Sequence, residues 1–227
     1  MLGELTTPNA LSAGSPERYW ACVRYFSACT NERDLRIRYP FLALDPHQRG
    51  ILSDDFGVAL STTWLARRMG GVREIVDGRR FVLNFGLKKR GKRKKKTAKV
   101  GPNKCPDFVL QDLSGRFHVL ECKGTQTAGY LTGALRTGQE QKAGIEFDSS
   151  IVGERLVIGI SLKGEGEKAR SSMRIVDPTA EVVVKVSAQE EGRAKKKMDR
   201  LGVARALNLI GLADAAAELS WPVQIFV

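Results

Sequence analysis

The amino-acid sequence predicts an α/β protein with a mixed central sheet. Two short β-prone runs, residues 108–110 and 117–120, are separated by Gly and Ser, which predicts a β-hairpin. A continuous apolar run at residues 155–162 is typical of a strand buried on both faces. Segments with helical spacing of apolar residues lie before and after these strands. This alternation indicates a sheet covered by helices.

Composition and charge restrict the class of protein. The chain has 227 residues, of which 42% are hydrophobic and 27% charged, so it can bury one core and is not disordered throughout. Its formal net charge of +12 indicates a polyanionic partner. There is no apolar run of the ~20 residues that a membrane span requires, and no signal-peptide pattern. We therefore expect a cytoplasmic protein without membrane contact.

The N-terminal third is predicted to be helical. Residues 1–50 are expected to form a helical lobe, since aromatic side chains recur at helical spacing after Pro16. A second helix is predicted to begin with Ser53 as its cap and to stop at Gly70. Asp54 and Asp55 then lie in its first turn, where carboxylates interact favourably with the helix dipole.

Residues 79–87 are predicted to form the first strand, and a strongly basic segment follows it. Residues 88–99 carry nine basic and no acidic side chains. A connection over 88–104 is longer than a hairpin needs, which indicates disorder or function. Flexible lysines neutralise phosphates without reading sequence, although a targeting signal is an alternative. The residues predicted to bind nucleic acid are Lys92, Arg93, Lys94, Lys95 and Lys96.

The predicted hairpin carries three ionisable residues at one end. Asp107 opens its first strand, and Glu121 and Lys123 close the second, where side chains two apart share a face. Converging carboxylates repel each other unless a cation lies between them or one is protonated. Carboxylate oxygens are the ligands that Mg²⁺ prefers, and a nearby lysine can orient water or hold a phosphate. The alternative is an exposed surface ion pair of little energetic value.

The rest of the chain is predicted to complete the sheet and its helical cover. Residues 130–142 read as a helix, weakened by two glycines, and residues 155–162 as a central strand. Further strands are predicted at residues 173–176 and 181–186. Residues 189–219 read as a long helix, broken near Gly202 or Gly211, whose basic first half is either a phosphate-binding surface or a solvated face. Four cysteines without a CxxC pair, together with only two histidines, argue against a zinc site.

Pro106-Asp107 and Glu121-x-Lys123 resemble the motif of the PD-(D/E)XK nuclease superfamily. The predicted order of helix, three strands, helix and strand is similar to that superfamily's restriction-endonuclease-like αβββαβ core. The resemblance implies a core at 51–165, with residues 166–227 as a C-terminal extension of strands and a long helix.

The resemblance also implies a metal site. Mg²⁺, with Mn²⁺ able to substitute, would be held by Asp107, Glu121 and the backbone carbonyl of Cys122, while Lys123 would position the attacking water. Family members take further polar groups from the flanking helices. The candidates from the helices are Asp55, with Glu74 in reserve, and Gln139 or Gln141. Gln126, just beyond the motif strand, is a further candidate for a phosphate or substrate contact.

The function implied by this resemblance is a metal-dependent nuclease that hydrolyses phosphodiester bonds, with DNA favoured as substrate. One alternative is a non-catalytic basic nucleic-acid-binding module on the same fold. Another is the nuclease subunit of a restriction, mobile-element or phage-defence assembly, which would act with protein partners or as a homo-oligomer.

Overall fold

The computed structural model describes residues 25–31, 34–85, 105–142, 145–177, 184–209 and 212–220. Over these residues the protein is a mixed α/β fold built on a five-stranded mixed sheet, so the predicted α/β class is confirmed. The N-terminal helix predicted after Pro16 lies almost wholly outside the described residues. So do all five residues predicted to bind nucleic acid, Lys92 to Lys96.

The described part of the chain contains helices α1 (Tyr39–Leu42), α2 (Pro46–Arg68), α3 (Gly78–Phe85), α4 (Ala128–Lys142), α5 (Glu191–Leu209) and α6 (Ala213–Ser220). Its strands are β1 (Arg36–Ile37), β2 (Val72–Asp77), β3 (Phe108–Asp112), β4 (Phe117–Thr125), β5 (Ile145–Phe147), β6 (Val152–Ser161), β7 (Lys163–Gly164), β8 (Ser172–Val176) and β9 (Val184–Val186). The main sheet has the order β2-β3-β4-β6-β8. Only β4 and β6 pair in parallel within it, which makes the sheet mixed.

Helix α2 begins earlier than predicted. Its cap is Asp45, whose carboxylate accepts the backbone N–H groups of His47 and Gln48. Pro46 then occupies the first helical position, where its missing N–H costs nothing. The predicted cap at Ser53 is therefore wrong. Ser53 lies inside the helix and donates its hydroxyl to the carbonyl of Arg49 at 2.7 Å. The predicted stop is confirmed, since Gly70 follows the helix with φ +72°.

The predicted first strand at residues 79–87 is also wrong. Its described residues belong to helix α3, and the first strand of the main sheet is β2. Phe81, Val82 and Phe85 are buried on one side of α3, where the rings of Phe81 and Phe85 stack with centroids 5.5 Å apart. Phe81, Leu83 and Phe85 also occupy every second position, as in a strand. Because Phe81 and Phe85 are four residues apart, they fit the period of a helix as well as that of a strand.

The remaining elements follow the sequence closely. The hairpin is confirmed as β3 and β4, with Gly115 at φ +89° in the turn between them. Strands β6 and β8 and helix α4 form where they were predicted. The predicted strand at 181–186 is seen as β9, its first residues lying outside the described ranges. The long C-terminal helix is divided into α5 and α6, as the predicted break near Gly211 implies.

Helices cover both faces of the sheet. On one face, α2 packs Leu52, Phe56 and Leu65 against apolar residues of β3, β4 and β6. On the other, α3 and α5 cover β2, β3 and the start of β4. Helix α4 lies beside them and packs Leu131 and Leu135 against Val157 of β6. Among the described helices, none is both long enough and apolar enough to cross a membrane.

Candidate active site

Strand β4 presents its polar residues to one face of the sheet. Leu120 and Cys122 belong to the apolar cluster beneath α2. Because side chains alternate along a strand, Glu121 and Lys123 point to the opposite face, under α4. A Cβ added to Gly138 of that helix would lie 3.3 Å from Glu121 Cγ and 3.4 Å from Lys123 Cε. The predicted sharing of a face by Glu121 and Lys123 is therefore present.

Two backbone-to-carboxylate hydrogen bonds hold Asp107 beside Glu121. The N–H of Asp107 donates to Glu121 Oε2 at 3.0 Å, and the N–H of Cys122 donates to Asp107 Oδ2 at 2.8 Å. The backbone at Asp107 thus fixes the carboxylate of Glu121, and the backbone at Cys122 fixes the carboxylate of Asp107. Cys122 contributes its backbone N–H to Asp107, and metal binding by its carbonyl stays a prediction.

Lys123 completes the group. Its Nζ donates to Glu121 Oε1 at 2.6 Å, and its side chain remains 22% exposed while that of Glu121 is fully buried. Burial acts to lower the pKa of Lys123, but the neighbouring carboxylates, Glu121 first, raise it overall. Lys123 is therefore a charged ammonium that reaches solvent from a buried carboxylate.

The two carboxylates destabilise each other's charged forms. Burial and the charge of Asp107 raise the pKa of Glu121 to about 8, and they outweigh the opposing effect of Lys123. The pKa of Asp107 is also raised, chiefly by burial. The single ammonium of Lys123 is thus insufficient to stabilise both carboxylates in their charged forms.

Helix α2 contributes an acid one residue away from the predicted one. Partial burial raises the pKa of Asp54 overall, while the positive charge of Lys123 acts to lower it, which indicates that the carboxylate lies within electrostatic range of the site. The predicted Asp55 is placed elsewhere. Its Oδ2 accepts the hydroxyl of Tyr25, and the residue is buried among the apolar residues around that ring. Neighbouring helical residues differ by about 100° in direction, so this offset decides which acid faces the site.

A close contact between backbones positions Asp54. A Cβ on Gly124 of β4 would lie 1.7 Å from the carbonyl oxygen of Ser53, and one on Gly57 would lie 2.7 Å from the nitrogen of Gly124. Only glycine at both positions lets α2 rest directly on β4. The helix thereby carries Asp54 to the end of the strand that bears Lys123.

Two further predicted residues are engaged away from the carboxylates. Gln126 anchors β4 to α2, because its Nε2 donates to the carbonyl of Arg49 at 3.2 Å and its Oε1 accepts from Arg49 Nε at 3.0 Å. The reserve candidate Glu74 is ion-paired with Arg205 of α5 at 3.0 Å. The structure does not bring Glu74 to the site.

Helix α4 places Gly138, rather than a glutamine, over the site. A Cβ there would lie 2.7 Å from Val157 Cγ1 and 3.3 Å from Glu121 Cγ. The neighbouring Gln139 lines a groove of about 620 Å³ between α4 and β8, together with Arg136 and Arg174. Gln141 has no described side chain.

Sequence reasoning missed three residues around this site: Asp54, Asp77 and Gly138. Asp77 ends β2 beside β3, and its charge acts to raise the pKa of Asp107. The available signal for Asp54 was its position next to Asp55. Gly138 is one of the two glycines predicted to lower the stability of the helix at residues 130–142. A glycine within a helix can also mark a position where a neighbouring element packs closely against the helix.

The donor set fits a hydrated Mg²⁺. Each carboxylate oxygen has two lone-pair sites, so the hydrogen bonds above leave Asp107 and Glu121 with acceptor capacity. Among the described residues, no three His, Cys, Asp or Glu side chains form a cluster that could hold a metal ion. Mg²⁺ usually binds through only one or two carboxylates and keeps several waters. A bound cation would favour the charged forms of the two carboxylates and so lower their raised pKa values.

Comparisons with protein-family models, with curated proteins and with solved structures found no match to this chain.

Proposed function

We propose that this protein is a metal-dependent nuclease of the PD-(D/E)XK type, which hydrolyses phosphodiester bonds and has DNA as its favoured substrate. The observation that carries the proposal is the hydrogen-bonded group formed by Asp107, Glu121 and Lys123. The Asp107 N–H donates to Glu121 at 3.0 Å, Lys123 Nζ donates to Glu121 at 2.6 Å, and the Cys122 N–H donates to Asp107 at 2.8 Å. A surface ion pair would not require a fully buried glutamate next to a second carboxylate.

The order of the elements supports the same proposal. Helix α2, strands β2, β3 and β4, helix α4 and strand β6 follow one another in the αβββαβ order that the resemblance implies. Helix α3 and the short β5 are insertions within that order. The proposed site lies on the central strand β4 and its neighbour β3.

Each residue has a chemical task in this proposal. Asp107 and Glu121 would hold Mg²⁺ or Mn²⁺, which when bound acidifies coordinated water and offsets phosphate charge. Lys123 would donate a hydrogen bond to the attacking water or the scissile phosphate from its exposed Nζ. Asp54 would keep the lysine charged and oriented through its own negative charge.

Cleavage of supercoiled plasmid in Mg²⁺ and in Mn²⁺ tests the proposal. We expect Asp107→Asn and Lys123→Ala each to reduce the rate roughly 100- to 1,000-fold, the usual cost of removing one charge-stabilising group. Lys195→Ala is a matched control, because Lys195 also pairs with a glutamate, at 2.5 Å, but on α5. It should cleave like the wild type. Intact plasmid, single-stranded DNA and RNA after long incubation with both metals would refute the proposal.

Binding to uncleaved DNA separates substrate affinity from chemistry. We propose that the basic segment containing Lys92 to Lys96 provides non-specific affinity through counterion release. Replacing these five residues by glutamine should lower the slope of log affinity against log salt by about 4.5. The Asp107→Asn and Lys123→Ala variants should bind nearly as well as the wild type. If the wild type does not cleave and the five-residue variant binds with an unchanged salt slope, neither part of the proposal stands.

A further inference from the structure

One face of α5 carries four cations in helical register. Arg193, Lys196, Lys197 and Arg200 are spaced i, i+3, i+4 and i+7, so they project from one side of the helix. Ala194, Met198 and Leu201 project from the adjacent side and are buried against the sheet. This arrangement orients the cations outward together. We refer to the four residues as the α5 basic face.

The α5 basic face is concave. A cavity of about 480 Å³ lies among its four side chains, and the other described residue that lines it is Gly192. A Cβ on Gly192 would meet no atom within 4 Å, so this end of the cavity is open. Among the described residues that line the cavity, every residue except Gly192 is therefore cationic. The positive charge of these four side chains suits an anionic group.

Both arginines of the face are held in place. Arg193 lies over the ring of Phe85, 4.8 Å from its centroid, and donates to the Phe85 carbonyl. It is also 3.7 Å from Glu190. Arg200 donates to the carbonyl of Glu218 on α6 at 2.9 Å. The two guanidinium groups thus flank the lysines from fixed positions, which reduces the entropy lost on binding a ligand.

The two lysines between them are crowded by like charge. Burial, followed by the charges of Arg200 and Arg193, lowers the pKa of Lys197. Lys196 is exposed beside it. Among the described residues, no carboxylate pairs with either lysine within salt-bridge distance. An anion in the cavity would relieve this repulsion.

Helix α3 connects the α5 basic face to the candidate active site. The N–H of Gly78, at its start, donates to the carbonyl of Asp107 at 2.9 Å, and Phe85, at its end, contacts Arg193. Eight helical residues span about 12 Å, which corresponds to three or four base pairs of duplex. A nucleic acid longer than this can occupy both places at once.

We propose that the α5 basic face binds the phosphate backbone of the substrate a few base pairs from the scissile bond. The inference rests on the proposed function for the identity of the polyanion. Backbone binding requires cations without base-specific contacts, and the face offers only cations. It extends the substrate-binding surface beyond the basic segment that follows Phe85.

The test uses the double variant Lys196→Gln/Lys197→Gln, because neither lysine has a described structural partner. Its binding to a DNA duplex of about 30 base pairs is measured in EDTA between about 50 and 200 mM salt. We expect affinity about 10-fold lower at 0.1 M salt and a slope of log affinity against log salt smaller by about 1.8. The control, Lys168→Gln/Arg170→Gln, removes two charges from the exposed turn after β7 and should change neither value.

Cleavage of a small phosphodiester distinguishes this inference from the proposed function. Bis(p-nitrophenyl) phosphate is too short to reach the α5 basic face, so the double variant should hydrolyse it at the wild-type rate. If neither the wild type nor the double variant cleaves any substrate, the proposed function fails, yet the salt slopes still decide the inference. An unchanged salt slope in the double variant, or an equal loss of affinity in the control variant, would overturn the inference. Binding to vesicles of anionic phospholipid is measured as well, and a double variant that binds these vesicles more weakly but DNA normally would also overturn it.

Discussion

The charge of Glu121 depends strongly on its surroundings. Its carboxylate is fully buried, bonded to one ammonium and one amide, and adjacent to Asp107. With its pKa raised to about 8, a large fraction of the protein without metal carries a proton there at neutral pH. Cation binding would release that proton, so we expect metal affinity to increase with pH.

The raised pKa of Glu121 predicts how stability varies with pH. Between the ordinary value of 4.5 and about 8, the folded state keeps a proton that the unfolded chain has released. The free energy of unfolding therefore decreases as pH rises through this window. In EDTA, the melting temperature should fall by on the order of 5 °C from about pH 5 to pH 8. Glu121→Gln should flatten this dependence, whereas a melting temperature that rises over the window would contradict the assignment.

Asp54 and Asp55 should differ in what their loss affects. Asp54 is only partly desolvated, retains contact with solvent and lies within electrostatic range of Lys123, so Asp54→Asn should slow cleavage by about 10-fold with little change in stability. Asp55 is buried and bonded to Tyr25, so Asp55→Asn should cost about 1–3 kcal/mol of unfolding free energy. Plasmid cleavage and urea unfolding of both variants make the comparison. The opposite pattern would identify Asp55 as the acid of the site.

The sequence predicts some site residues and not others for a physical reason. Asp107, Glu121 and Lys123 could be placed because a short hairpin fixes the register, and alternation fixes the face. Asp54 could not be chosen over Asp55, because the direction of a helical side chain requires the phase of the whole helix. That phase depends on how α2 packs, and its true start at Asp45 was not recognised.

At the scale of elements, the site depends on two helices that approach β4 from opposite faces. Gly57 and Gly124 bring α2 into backbone contact with the strand, and Gly138 brings α4 over Glu121 and Lys123. Each approach needs a residue without a side chain. The three glycines therefore set the width of the space in which the charged groups meet.

Gly138→Ala should impair the site, and Gly133→Ala on the same helix is its control. The added methyl at position 138 would lie 2.7 Å from Val157 Cγ1 and 3.4 Å from Lys123 Cε, so α4 must shift. We expect a loss of about 1–3 kcal/mol in unfolding free energy and slower plasmid cleavage. At position 133 a methyl meets no atom within 4 Å, and higher helix propensity should add up to about 1 kcal/mol. Equal behaviour of the two variants in urea unfolding and cleavage would contradict this role.

Two elements escaped prediction because local pattern and tertiary packing disagree. The aromatic residues of α3 alternate as in a strand, but Phe81 and Phe85 also share a helical face, and packing against α5 selects the helix. Strand β2 was missed because a register shift between Val72 and Glu74 interrupts its alternation. Neither outcome can be decided from the segment alone.

At the scale of the whole molecule, a small acidic site lies within a strongly basic protein. The net charge of +12 and the basic segment were evident from the sequence. The way these charges are arranged was not, because the contact between Phe85 and Arg193 joins residues 108 positions apart. Long-range contacts of this kind determine whether a charged helix face is a binding surface or only solvated.

The position of β4 in the middle of the sheet has a consequence for how the candidate active site responds to heat. The strand is hydrogen-bonded to β3 on one side and β6 on the other, and Glu121 has no exposed surface. Opening this strand locally would require free energy close to that of unfolding the whole sheet, unlike the fraying of a terminus or a loop. The proposed catalytic groups should therefore persist for as long as the fold does, and heat inactivation of the proposed nuclease would report global unfolding directly.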